Sequence, residues 1–209
     1  MTTLKTAMVL GSTGLVGHHL TQQLIDDARY QAITLLVRRP LANTEFDDPL
    51  GKLQPIVIEF DALQDYQGYF SVDHVYCCLG TTLKKAGSQS AFRRVDFEFV
   101  HVAAQLARAQ RADGFVWISS IGADAKSKNF YLRVKGELEN ALMTMPQLNH
   151  AAAVRPALLL GERPEQRAAE SLGIFVSKLL SPIMIGDLKK YRPIAARQVA
   201  QQMIGLQHF

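Results

Sequence analysis

Cysteine is nearly absent from this chain: there are two in 209 residues, Cys77 and Cys78, and they are adjacent. Neighbours on a strand point to opposite faces, and a disulfide between them has poor geometry. A disulfide framework is therefore excluded, and both thiols read as small hydrophobes in a reducing, cytoplasmic compartment. There is no H-E-x-x-H and no paired C-x-x-C, so no metal site is expected. His18 and His19 diverge as neighbours and read as solvated residues of a first helical turn. No apolar run reaches the length of a membrane span, and "MTTLKTAMVLG" lacks a signal-peptide pattern. The net charge of +4 comes from scattered basic pairs without interleaved aromatics or a basic tail, which argues against nucleic acid. Repeats and low-complexity tracts are missing.

What is present is an alternating pattern. The hydrophobic fraction of 48% and charged fraction of 20% are those of a globular chain. The length fits one domain over residues 1–209. Strand-like runs are "AMVL" (7–10), "ITLLV" (33–37), "PIVIEF" (55–60), "HVYCCL" (74–79), "GFVWIS" (114–119) and "HAAAVR" (150–155). Helix-like stretches fall at 15–28, 88–111, 129–145, 166–180 and 195–207. The polar, proline- and glycine-punctuated segment 40–54 reads as a surface connection. Continuous apolar strands separated by helices imply an α/β fold with a doubly wound parallel sheet. Ligands in such folds sit beyond the carboxyl ends of the strands.

Unusual residues gather at those strand ends. "GSTGLVG" follows the first strand and opens a helix, with Gly11, Gly14 and Gly17 spaced by three. Glycines there let backbone N–H groups approach a phosphate at the helix N-terminus. The second strand ends in Arg38 and Arg39, and no carboxylate appears until Glu45. An acid at that point would bind a ribose 2′-hydroxyl, whereas guanidinium groups fit a 2′-phosphate, so the expected cofactor is NADPH. Asp61 reads either as an acceptor for adenine or as a helix N-cap. In "YLRVK", Tyr131 and Lys135 share a helical face. An ammonium beside a phenol favours the phenolate, which suits Tyr131 to general acid–base work. Lys135 also has the reach for ribose hydroxyls. One hydroxyl of Ser119 or Ser120, with Ser120 preferred, would steady a substrate oxygen.

"GSTGLVG", "CCLGTTLKKAGSQSAFRRVD", "ISSIGAD" and "YLRVKGELE" together resemble the Tat-interactive-protein oxidoreductase family, an atypical branch of the short-chain dehydrogenases/reductases. The likeness runs from about Thr6 to Gln202. It implies a Rossmann fold with a Ser-Tyr-Lys site formed by Ser120, Tyr131 and Lys135. On the matching positions, the family's cofactor contacts fall on Ser12, Thr13, Gly14, Leu15 and Val16, on Arg38 and Arg39, on Leu79 and Gly80, and on Tyr131 and Lys135; the strand-end pattern itself adds Gly11, Gly17, Asp61 and Thr81. "RPALLLG" (155–161) resembles the strand that passes the nicotinamide. About fifty residues follow Arg155, so residues 156–209 are expected to form a small substrate-side lobe over an open pocket. The apolar stretch 171–186 reads as a lid or a subunit contact, as in a homodimer, rather than a membrane anchor. The expected activity is hydride transfer between NADPH and a small carbonyl or alcohol. An NADPH-binding regulatory protein, or an epimerase or dehydratase using bound cofactor transiently, would need the same loop.

Overall fold

The computed structural model describes residues 3–157, 159–160 and 194–209. β1 (Lys5–Leu10), β2 (Tyr30–Val37), β3 (Leu53–Val57), β4 (His74–Cys77), β5 (Gly114–Ile118) and β6 (Ala151–Val154) form one sheet in the order β3-β2-β1-β4-β5-β6. All of its pairings are parallel. Strand order reverses between β1 and β4, the point where this architecture opens a crevice. A separate short pair joins β7 (Leu159–Leu160) to β8 (Ile194–Ala195).

The two faces of the sheet carry different helices because side chains alternate along each strand. Ala7 and Val9 face α1 (Leu15–Asp26) and α6 (Ala196–Gly205), whose Leu20, Leu24, Val199 and Met203 complete that core. Met8 and Leu10 face the opposite way, toward α4 (Phe99–Ala109) and α5 (Phe130–Met143). A 3₁₀ stretch, Phe60–Phe70, closes this second face with Phe60, Leu63 and Phe70. Cys77 packs on the second face and Cys78 on the first, and both thiols are free.

Three segments depart from expectation. The helix expected over 88–111 divides into α3 (Gln89–Arg93), a π turn (Arg94–Glu98) and α4, preceded by the short α2 (Leu83–Ala86). The connection 40–54 ends inside β3, where Pro55 is accommodated on an edge strand. The 3₁₀ stretch was not anticipated, since its buried residues are dispersed among polar ones. The expected helix at 166–180 and the apolar stretch 171–186 lie outside the described residues. Among the described residues no helix is long and apolar enough to cross a membrane.

Candidate cofactor and active site

Because the strands are parallel, the loops after β1, β2, β4 and β5 all leave the sheet at one edge. The glycine loop lies against the end of β4. Gly11 has φ +82°, and a β-carbon on it would sit 2.7 Å from the Cys78 carbonyl oxygen. A β-carbon on Gly17 would lie 2.1 Å from the Gly11 carbonyl oxygen. The loop therefore takes its shape only with glycine at both positions.

Gly14 stands at the N-cap of α1 with no side-chain cap, and the first turn holds no acid. By contrast, Thr82, Ser88 and Asn129 cap α2, α3 and α5 with side-chain oxygens that accept from Lys85, Ala91 and Leu132 N–H groups. The positive end of α1 is thus left to an external anion. Ser12 is buried, and its Oγ has no hydrogen-bond partner. A buried hydroxyl without a partner is costly unless a ligand completes it. Thr13 and Gly14 are exposed, Leu15 is half-buried, and Val16 and Gly17 are buried. The Val16 side chain belongs to the core, so only its backbone N–H faces this role. These features fit a phosphate-bearing dinucleotide.

Arg38 and Arg39 follow β2, are exposed, and form no ion pair among the described residues. Asp61 is exposed in the first turn of the 3₁₀ stretch, where Glu59, not Asp61, occupies the N-cap position. Its Oδ1 lies 2.7 Å from an Arg94 guanidinium nitrogen, so the capping alternative gives way to an ion pair. His18 and His19 are half-buried rather than solvated. His18 stacks on Phe46, with ring centroids 4.9 Å apart, and its Nδ1 is 3.7 Å from Glu45. Burial holds the His19 pKa below its ordinary value.

After β4, Leu79 packs partly against the core and Gly80 is exposed. The Thr81 N–H donates to Asp96 Oδ2 at 2.8 Å. Asp96 Oδ1 lies 2.8 Å from Lys135 Nζ, and both side chains are buried. Lys135 Nζ also donates to the Ile118 carbonyl at 3.3 Å. Burial pushes the Asp96 carboxyl above its usual value, with the Lys135 ammonium pulling the other way. No sequence motif assigns a role to Asp96. Its signal was position: Phe92, Asp96 and Val100 fall at helical spacing, and all three are buried. A carboxylate in an apolar stripe needs a partner.

Ser119 and Ser120 end β5 in different environments. Ser119 is buried with an unpartnered Oγ, while Ser120 is half-buried and donates to the Ile121 carbonyl at 3.2 Å. Tyr131 lies in the first turn of α5, half-buried, its ring centroid 5.7 Å from that of Phe92. Lys135 is one turn further along the same helix. Among the described residues no cluster of three His, Cys, Asp or Glu is arranged to hold a metal.

A family profile described as NAD(P)H-binding matches residues 11–170. The chain is 35% identical to Protein HTATIP2 of Rattus norvegicus over 169 residues, covering 80% of this chain and 68% of that one. It is 33% identical to Protein FMP52-1, mitochondrial, of Scheffersomyces stipitis over 201 residues, covering 93% and 84%. An oxidoreductase of the short-chain dehydrogenase/reductase family from Burkholderia thailandensis superposes with a TM-score of 0.72 at 21% identity, over 99% of this chain and 87% of that one. The last likeness is one of fold. With the Rossmann strand order, the matching profile and these relatives together, the chain belongs to the NAD(P)H-binding, HTATIP2-like family of atypical short-chain dehydrogenases/reductases.

Proposed function

We propose that this protein is an NADPH-dependent oxidoreductase that interconverts a small carbonyl compound and its alcohol. The observation that carries the reading is the docking of α5. Lys135, four residues after Tyr131, donates to the Ile118 carbonyl at 3.3 Å, immediately before Ser119 and Ser120. The tyrosine-bearing helix is thereby tied to the serine-bearing strand end, on the sheet edge that carries the glycine loop.

When bound, the nicotinamide would supply or accept the hydride. The residues then divide the remaining work. The α1 amides and the Ser12 hydroxyl bind the pyrophosphate region. Arg38 and Arg39, without ion-pair partners among the described residues, bind the 2′-phosphate through charge-assisted hydrogen bonds, which is the basis of the preference for NADPH. Ser120 donates to the substrate oxygen, and Tyr131 exchanges its hydroxyl proton with that oxygen. Lys135 holds the nicotinamide ribose.

The compartment we propose is the cytoplasm. Free Cys77 and Cys78 suit the reducing cytoplasm, and fractionation of the native host, probed for the full chain, decides between it and the mitochondrial location in the yeast relative's name.

The direct experiment follows NADPH oxidation against a panel of small aldehydes, ketones and quinones. Turnover of one member with NADPH, and weaker turnover with NADH, is the expected result. Tight NADPH binding with no turnover across the panel replaces the enzyme reading with the regulatory one.

A further inference from the structure

Asp96 uses its two oxygens for two different elements. Oδ1 takes the Lys135 ammonium at 2.8 Å, and Oδ2 takes the Thr81 N–H at 2.8 Å. An ammonium has three N–H donors. Asp96 engages one, and the Ile118 carbonyl, at 3.3 Å, engages a second. The pair lies beneath Gly80: a β-carbon there would be 3.4 Å from Asp96 Oδ1 and 3.9 Å from Lys135 Nζ. The π turn is what brings this carboxylate into the buried stripe between α3 and α4, and such turns recur at functional sites.

We infer that Asp96 is the positioning residue of the nicotinamide end of the site, orienting the Lys135 N–H that has no partner among the described residues toward a ligand hydroxyl and tying that orientation to the Leu79-Gly80-Thr81 loop. This rests on the cofactor assignment proposed above. It also narrows what Lys135 does. With one donor left, Lys135 hydrogen-bonds a ribose hydroxyl or the Tyr131 phenol, but not both together. Its charge is compensated 2.8 Å away, so its main contribution is to hold the ribose.

The side chain is specific for aspartate. Asparagine offers one acceptor and one donor group, so it satisfies Lys135 or the Thr81 N–H but not both. Glutamate retains both acceptors and the charge but displaces Nζ by a methylene. On the adjoining elements Glu137 pairs with Arg93, Glu139 with Arg155 and Arg94 with Asp61, while Glu98 and His101 follow on the π turn and α4. On β4, burial pushes the Cys77 thiol up to about 12, with the Lys135 cation opposing it. Tyr131 lies one turn earlier on α5.

The test is calorimetric titration of NADP⁺ into the full-length wild type, Asp96→Asn, Asp96→Glu, Lys135→Met and the Asp96→Asn/Lys135→Met double variant. Asp96→Asn should weaken binding by about tenfold or more, the scale of a hydrogen bond to a charged group. Asp96→Glu keeps the charge pair, and hence the fold, and should still weaken it by about fivefold. In the Lys135→Met background, Asp96→Asn should cost clearly less than it does alone, because the Lys135 contact is already lost and only the Thr81 tie remains. If Asp96→Asn does not fold, Asp96→Glu alone carries the test. Wild-type affinity in Asp96→Glu, or additive effects of Asp96→Asn and Lys135→Met, overturns the inference while leaving the cofactor assignment standing. A wild type that binds neither NADP⁺ nor NAD⁺ overturns the assignment and the inference with it.

Discussion

The Tyr30 hydroxyl lies 2.7 Å from His74 Nδ1, at the sheet edge opposite the candidate site. The His208 carbonyl oxygen lies 2.8 Å from His74 Nε2, and the Tyr76 hydroxyl lies 2.7 Å from that of Tyr30. A carbonyl only accepts, so the network assigns the proton to Nε2. Tyr30 then donates to Nδ1, and Tyr76 donates to Tyr30. This chain of bonds requires a neutral imidazole, and burial holds the His74 pKa below its ordinary value.

The consequence is a pH-dependent stability. The group is neutral in the folded state and protonates more readily when unfolded, so its contribution is complete above the unfolded value. It is lost as pH falls below about 6.5 toward the folded pKa. His19 and His101, both lowered chiefly by burial, act with the same sign. Denaturant unfolding between about pH 8 and about pH 5 should show stability falling below about pH 6.5. The slope should be shallower in His74→Gln; an unchanged slope removes His74 as its source. Tyr30→Phe should cost about 1–3 kcal/mol at neutral pH, because Nδ1 loses its donor.

Gly17→Ala should be among the most damaging single substitutions at the glycine loop. Its methyl would lie 2.1 Å from the Gly11 carbonyl oxygen, which is backbone and cannot swing aside. A loss of about 1–3 kcal/mol or more follows from such overpacking, with cofactor binding lost as the loop moves. Gly68→Ala, with nothing within 4 Å of the added carbon, is the control and should leave both thermal unfolding and binding nearly unchanged.

Arg38→Ala should remove most of the preference for NADPH over NADH while sparing NADH affinity. Each charge-assisted bond it loses is worth about 1.5–3 kcal/mol. The wild-type preference should shrink with added salt, because both arginines are exposed. Equal wild-type affinities for the two nucleotides in calorimetry would remove the 2′-phosphate role from Arg38 and Arg39.

Tyr131→Phe deletes one hydroxyl from a half-buried ring beside Phe92. Turnover should fall by about a hundredfold to ten-thousandfold, with NADPH affinity nearly unchanged. Lys135→Ala should reduce both, since the ammonium is proposed to hold the nicotinamide ribose. A Phe variant that turns over like the wild type would take the proton transfer away from Tyr131.

Much of the architecture was legible because it depends on short-range patterns. The apolar runs of β1, β2 and β5, the glycine spacing after β1 and the shared face of Tyr131 and Lys135 are all local, and periodicity records local preference. The opposite packing of Cys77 and Cys78 follows from strand alternation alone. The order of the strands, the packing of α6 beside α1 and the route of the 3₁₀ stretch depend on contacts far apart in the chain. Asp96 is the clearest case. Its residue type and its helical phase were visible, but its partner is thirty-nine residues away on α5, and the π turn that aims it has no periodic signature. Sequence marked Lys135 as a cation near a phenol. Only the fold, by burying it 2.8 Å from a carboxylate, determined where its charge and its hydrogen bonds are spent, because a buried ammonium must find its counter-charge wherever tertiary packing supplies one.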